Sequence, residues 1–139
     1  MLERGYSPEA IESLFDQLGC RIVLPEDPNV YFAAKGPQIS SFSDQRQFPR
    51  YNYRQRALMV HRESVFVVYT KDISHSSIGF LHCRQLFPLE RVRLCLANGL
   101  NFDLTIRRCV RTQVDCYSCG GHIDPECRLT TEQLRELVI

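Results

Sequence analysis

Apolar positions follow two different periods along this chain, and the change of period divides it. Ile11, Leu14, Phe15 and Leu18 fall at i, i+3, i+4 and i+7, one stripe along a helix. Ser7-Pro8-Glu9 ahead of them supplies a capping hydroxyl, a proline at the first helical position and an acid facing the positive end of the helix dipole. Gly19 supplies the stop. The pattern predicts an amphipathic helix over 8–18. Cys20–Leu24 reads as a short strand closed by turns at Pro25 and Pro28, Gly36–Asp44 as a serine-rich loop, and Lys35–Pro49 as the one plausible linker.

Beyond that stretch the period becomes that of strands. Gln55–Arg62, Ser64–Lys71, Ile78–Cys83, Arg91–Leu96, Asn101–Arg111 and Cys116–Ile123 are six candidates separated by turn signals. Val65-Phe66-Val67-Val68-Tyr69 is β-branched and aromatic, and Leu94, Leu96, Leu104 and Ile106 alternate as half-buried strand positions do. Asn98-Gly99 marks a tight hairpin between the fourth and fifth strands. Strands without intervening helices predict an all-β fold, a small six-stranded antiparallel barrel. Thr130 with Gln133 is a capping box, ahead of a short terminal helix over about 131–138. The expected division is an N-terminal extension over 1–43 and a barrel over 44–139.

Length and charge narrow the function classes. The 139 residues suit one globular domain and disfavour a two-domain enzyme. No apolar run reaches the roughly 18 residues that span a bilayer, and Met1–Tyr6 lacks the basic start and apolar core of a secretory signal. A cytoplasmic protein that does not insert in membranes is expected. Seven cysteines, an odd number in strand-like surroundings, favour reduced thiols over a disulfide framework. The formal net charge is only +1, but residues 1–40 carry six acids against three bases, whereas 44–62 carry five arginines against Asp44. A local arginine cluster on a near-neutral chain suits a compact anion better than a nucleic-acid polymer.

Two short constellations could carry such chemistry. Arg46-Gln47-Phe48-Pro49-Arg50 places two arginines four apart, with Pro49 stiffening the backbone between them. Alone, this spacing is common in solvated loops. Arg50 and Arg54 share it too; Phe48 and the residue after Arg50 favour the Arg46–Arg50 register, with Arg54 and Arg56 flanking. In Asp72-Ile73-Ser74-His75-Ser76-Ser77-Ile78-Gly79, Asp72 and Ser74 alternate across Ile73, so carboxylate and hydroxyl are expected on one face. Asp and Ser are also ordinary turn formers. Cys116, Cys119, His122 and Cys127 superficially suggest a zinc knuckle, but a strand sends Cys116 and Cys119 to opposite faces, so buried structural cysteines are the default. His61, His75 and His82 show no partner pattern. No P-loop, nucleophile–base motif or catalytic carboxylate pair is present, and an enzyme is not expected.

In this order, with 22 positions from Arg50 to Asp72, the two constellations together resemble the signature of the PilZ domain family, two arginines separated by three residues and then Asp/Asn-x-Ser-x-x-Gly. The resemblance covers roughly residues 44 to 123. It implies a bacterial receptor for the second messenger cyclic di-GMP, with Arg46 and Arg50 on phosphate and guanine and Asp72 and Ser74 reading the other edge of the ligand. Ser77 stands where the pattern has glycine. No cofactor is expected beyond that ligand. Two readings follow: a receptor that passes occupancy to an unidentified protein partner through ordering of its arginine loop, or an adaptor of the same fold that has lost the ligand. The stripe of helix 8–18 is expected to dock on the barrel, or else to serve as an output surface or a homodimer contact.

Overall fold

A computed structural model describes residues 6–38 and 49–138. Helix α1 (Pro8–Leu18) starts and stops where its sequence signals stand. The Ser7 hydroxyl accepts from the Ala10 N–H at 3.2 Å, and Gly19, at φ +67°, donates its N–H to the Phe15 carbonyl. Positive φ there is tolerated because glycine has no Cβ. Ile11 and Phe15 are buried, Leu14 is half-buried, and Leu18 is 45% exposed, so the stripe is shorter than the pattern predicts.

Eight strands among the described residues form one antiparallel sheet: β1 (Gly36–Pro37), β2 (Tyr51–Asn52), β3 (Arg56–His61), β4 (Ser64–Ile73), β5 (Ser77–His82), β6 (Arg91–Leu96), β7 (Asn101–Gln113) and β8 (Cys116–Ile123). Their order is β1-β2-β4-β3-β6-β7-β8-β5, and β5 pairs again with β4. Strands β3 to β8 therefore close into the six-stranded barrel, with β1 and β2 added beside the end of β4. Closure removes the free edges an open sheet would expose. The inside is filled by Met59, Val68, Phe80, Leu94, Leu96, Phe102, Leu104 and Ile106 among others.

Helix α1 explains why β3 reads as a continuous apolar run. Ala57 and Met59 face the barrel interior, while Leu58, between them, joins Val67 and Cys95 in a second cluster beneath Ile11 and Phe15. The wall is buried on both faces only where the helix covers it. Docking on the barrel, the first of the expected roles for this helix, is what the structure shows.

Several expectations need correction. Cys20–Leu24 is not a strand; its backbone is held by the β7–β8 turn, with Val23 N–H on the Asp115 carbonyl and the Gln113 amide on the carbonyls of Val23 and Leu24. Pro28–Tyr31, read only as a turn, forms a single helical turn, α2, capped by Asp27, and buries Tyr31, whose hydroxyl donates to the Thr70 carbonyl at 2.7 Å. Gly36–Pro37, assigned to a loop, pairs with Tyr51–Asn52. Strand β4 runs two residues further than expected, so Asp72 lies in a strand and not in the turn. At the other end α3 (Thr131–Val138) carries the capping box: Thr130 and Gln133 exchange side-chain and backbone hydrogen bonds, both of 3.0 Å.

Candidate ligand cleft

The residues after the β4 bulge determine the site. The β4–β5 register shifts between Thr70 and Asp72, which leaves Lys71 as the extra residue and sets Asp72 opposite Gly79. Gly79 is in turn opposite Gly120, and Gly120 opposite Arg108, next to a second bulge in β7. A row across four strands thus runs from a carboxylate over two glycines to an arginine. At one end the absent side chain leaves room for the acid: a Cβ on Gly79 would stand 2.6 Å from an Asp72 carboxylate oxygen, which would have to shift. At Gly120 a Cβ would meet nothing within 4 Å. The glycines make a flat floor.

Over this floor lies an open cleft of about 410 Å³, within the range of roughly 300–1,000 Å³ usual for small-molecule sites. Arg50, Lys71, Arg107 and Arg108 line it, with Asp72 as its acid. Arg50 leads into β2; its carbonyl accepts the Gln38 N–H at 2.8 Å, and its Nε is buried without a hydrogen-bond partner among the described residues. A buried guanidinium nitrogen left unpaired is costly and prepared for an acceptor. Asp72 is 7% exposed and accepts from the Gln38 side-chain amide at 3.2 Å. Lys71 Nζ reaches across β5 to the Ser118 hydroxyl at 3.0 Å. His122 Nε2 lies 3.1 Å from an Arg107 guanidinium nitrogen, and partial desolvation, then Arg107, Arg50 and Arg128, hold its pKa below the ordinary histidine value. The Nε2 of a neutral imidazole accepts the hydrogen bond that the Arg107 N–H donates.

The expected site residues are only partly gathered. Arg50, Asp72 and Ser77 line the cleft. Ser74 is buried and does not: its hydroxyl meets the Ser77 hydroxyl at 2.8 Å and the N–H groups of Ser76 and Ser77, and so closes the β4–β5 turn. Arg46 lies outside the described residues. Ser77 has no positive φ, so the backbone here makes no demand for glycine. Arg54 and Arg56, expected to flank the pocket, point elsewhere. Arg54 stacks 4.4 Å over the Tyr31 ring and pairs with Glu26. Arg56 stacks 4.6 Å over Phe15 beside Glu12. They hold the N-terminal segment, so of the Arg50–Arg54 register only Arg50 lines the cleft. Sequence reasoning missed Lys71, Arg107, Arg108 and the glycine floor, which only the cross-strand register assembles. Cys119 and Cys116 are both buried, Cys119 against Cys109 and His122 against Arg107, and no group of three or more potential metal ligands exists among the described residues.

The PilZ domain model matches residues 44–138. The chain belongs to the PilZ domain family. The family is one of cyclic di-GMP receptor-type domains, and no catalytic family is indicated. No curated protein matches it. Among solved structures it is similar to the Bacillus subtilis inhibitor of motility (MotI/DgrA), at 14% identity and a TM-score of 0.49, over 68% of this chain and 47% of that one. The chain thus spans about half the length of that protein. No helix of the described residues is long and apolar enough to cross a membrane.

Proposed function

We propose that this PilZ domain binds cyclic di-GMP in the cleft over Gly79 and Gly120 and passes occupancy to a protein partner, as a cytoplasmic receptor in a bacterium. The observation that carries the reading is that Asp72 and Arg50, whose buried Nε has no hydrogen-bond partner among the described residues, line one cleft whose floor is glycine at Gly79 and Gly120. A carboxylate accepts from guanine N1–H and N2–H₂ together, and a flat backbone admits the plane of the base. Arginine bonds phosphate or guanine O6 and N7 in a bidentate manner. Arg50, with Arg46, takes that role, Lys71, Arg107 and Arg108 add positive charge for the second phosphate, and Ser77 stands at the rim. The Gln38 amide already on Asp72 imitates an exocyclic amine, so ligand entry shifts β1. Occupancy thereby reaches the N-terminal extension through β1.

Calorimetric titration tests this. The wild-type protein is expected to bind cyclic di-GMP and not GTP, and Arg50→Ala to bind at least about ten-fold more weakly, the loss of one charge-assisted contact of about 1.5–3 kcal/mol. No binding by the wild-type chain would remove the receptor reading.

A second reading, an adaptor without ligand, is favoured by one observation: Ser74 and Ser77 spend their hydroxyls on each other. Under it, Ser77→Gly restores tight binding; under the receptor reading the same change has little effect.

A further inference from the structure

Cys109 and Cys119 are direct partners in the β7–β8 register, and their sulfurs lie 3.2 Å apart. No other part of the site uses them. The register is irregular on both sides of this pair, between Ile106 and Arg108 and again between Arg111 and Gln113. A short paired stretch between two bulges can shift by the roughly 1 Å that separates this contact from a covalent S–S bond of about 2.05 Å. Cys119 borders the cleft next to Gly120, while Cys109 is only half-buried. The Cys109 sulfur also accepts the Leu86 N–H at 3.3 Å.

We propose that Cys109 and Cys119 form a reversible cross-strand disulfide at the edge of the cleft by exchange with a small-molecule disulfide. Cys109 attacks first, since it is the more accessible sulfur and receives the Leu86 donor. Burial, then the neighbouring Cys109, push the Cys119 thiol well above the ordinary cysteine range, so Cys119 remains the protonated partner. The Cys109 thiolate attacks one sulfur of the small disulfide, whose S–S bond breaks and whose other half leaves as a thiolate. Cys119 then attacks the Cys109 sulfur, gives its proton to solvent and displaces the second thiolate. Two protein thiols are oxidised, and one small disulfide is reduced to two thiols. The bond pulls Cys119 toward β7 and moves Ser118 and Gly120 with it, which deforms the cleft floor.

The test is incubation of the full chain with glutathione disulfide, followed by intact mass and non-reducing peptide mapping. A species that has lost two hydrogens, with Cys109 linked to Cys119, is expected. Cys20→Ser and Cys116→Ser should retain it, Cys109→Ser and Cys119→Ser should lack it, and dithiothreitol should reverse it. Persistent glutathione adducts without the link, or a link between Cys116 and Cys119, would overturn the proposal. The consequence for binding rests on the ligand reading above: the oxidised protein is expected to bind cyclic di-GMP several-fold more weakly. Equal affinity overturns that coupling. Absent binding by the reduced protein overturns the ligand reading alone, because the crosslink is read without ligand.

Discussion

A side chain at Gly120 would enter open cleft, whereas one at Gly121 would meet the Thr105 carbonyl oxygen at 2.8 Å. Two adjacent glycines therefore separate binding from stability. Gly120→Ala is expected to leave denaturant unfolding unchanged within about 0.5 kcal/mol and to weaken cyclic di-GMP binding several-fold, because the methyl occupies the floor. Gly121→Ala should cost about 1–3 kcal/mol, since backbone atoms must move to admit the methyl. Parallel unfolding and titration of the two variants checks this; loss of stability in Gly120→Ala would contradict the flat-floor geometry. At this scale the sequence was informative where local spacing carries the chemistry. Arg50 and Asp72 could be read from a motif. Ser74 illustrates the other outcome, since its turn-forming tendency prevails and its hydroxyl closes a hairpin. Lys71, Arg107 and Arg108 could not be read because two bulges, features of long-range pairing, bring them over the same floor.

Helix α1 and the barrel meet in a cluster that is separate from the barrel interior. Phe15, 4% exposed, carries much of that contact and also takes the Arg56 guanidinium on its face. Phe15→Ala is expected to lose about 3 kcal/mol of docking energy. Since the barrel closes without α1, the loss should appear first as faster amide exchange in α1 with β6 and β7 still protected, a local opening and not global unfolding. Uniform loss of protection would mean that helix and barrel are one cooperative unit. The elements that were legible share one property, a period or cap written within a few residues: α1, the six barrel strands and α3. The errors fall where tertiary contacts override short signals. Cys20–Leu24 has strand-forming composition but is held by the β7–β8 turn instead of a strand ladder, and β1 and β2 are two-residue strands defined by their pairing with each other and, for β2, with the end of β4.

Strand β5 closes the barrel by pairing with both β8 and β4, and His82 stands at its end, 1% exposed, with its ring edge-on to Phe66 at 5.0 Å. Its Nδ1 has no hydrogen-bond partner among the described residues. Burial, with Arg84 and His61 adding positive charge nearby, lowers its pKa from 6.5 to about 4. The neutral form is therefore the native one, and its contribution to folding is complete above about pH 6.5. As pH falls below that value, the unfolded chain takes up a proton that the native chain refuses, so stability declines until about pH 4. One pH unit is worth about 1.4 kcal/mol, which makes the loss about 2 kcal/mol by pH 5. In that window the carboxylates of Glu90 and Asp103 add little slope, because both are held below ordinary values that already lie under pH 5. Urea unfolding of the wild-type chain at pH 7 and pH 5 should show this loss, and His82→Phe, which removes the titrating group, should take most of it away, leaving the slope that His122, also held below the ordinary histidine value, contributes. An unchanged slope in that variant would assign the acid sensitivity to another group and leave His82 as packing alone.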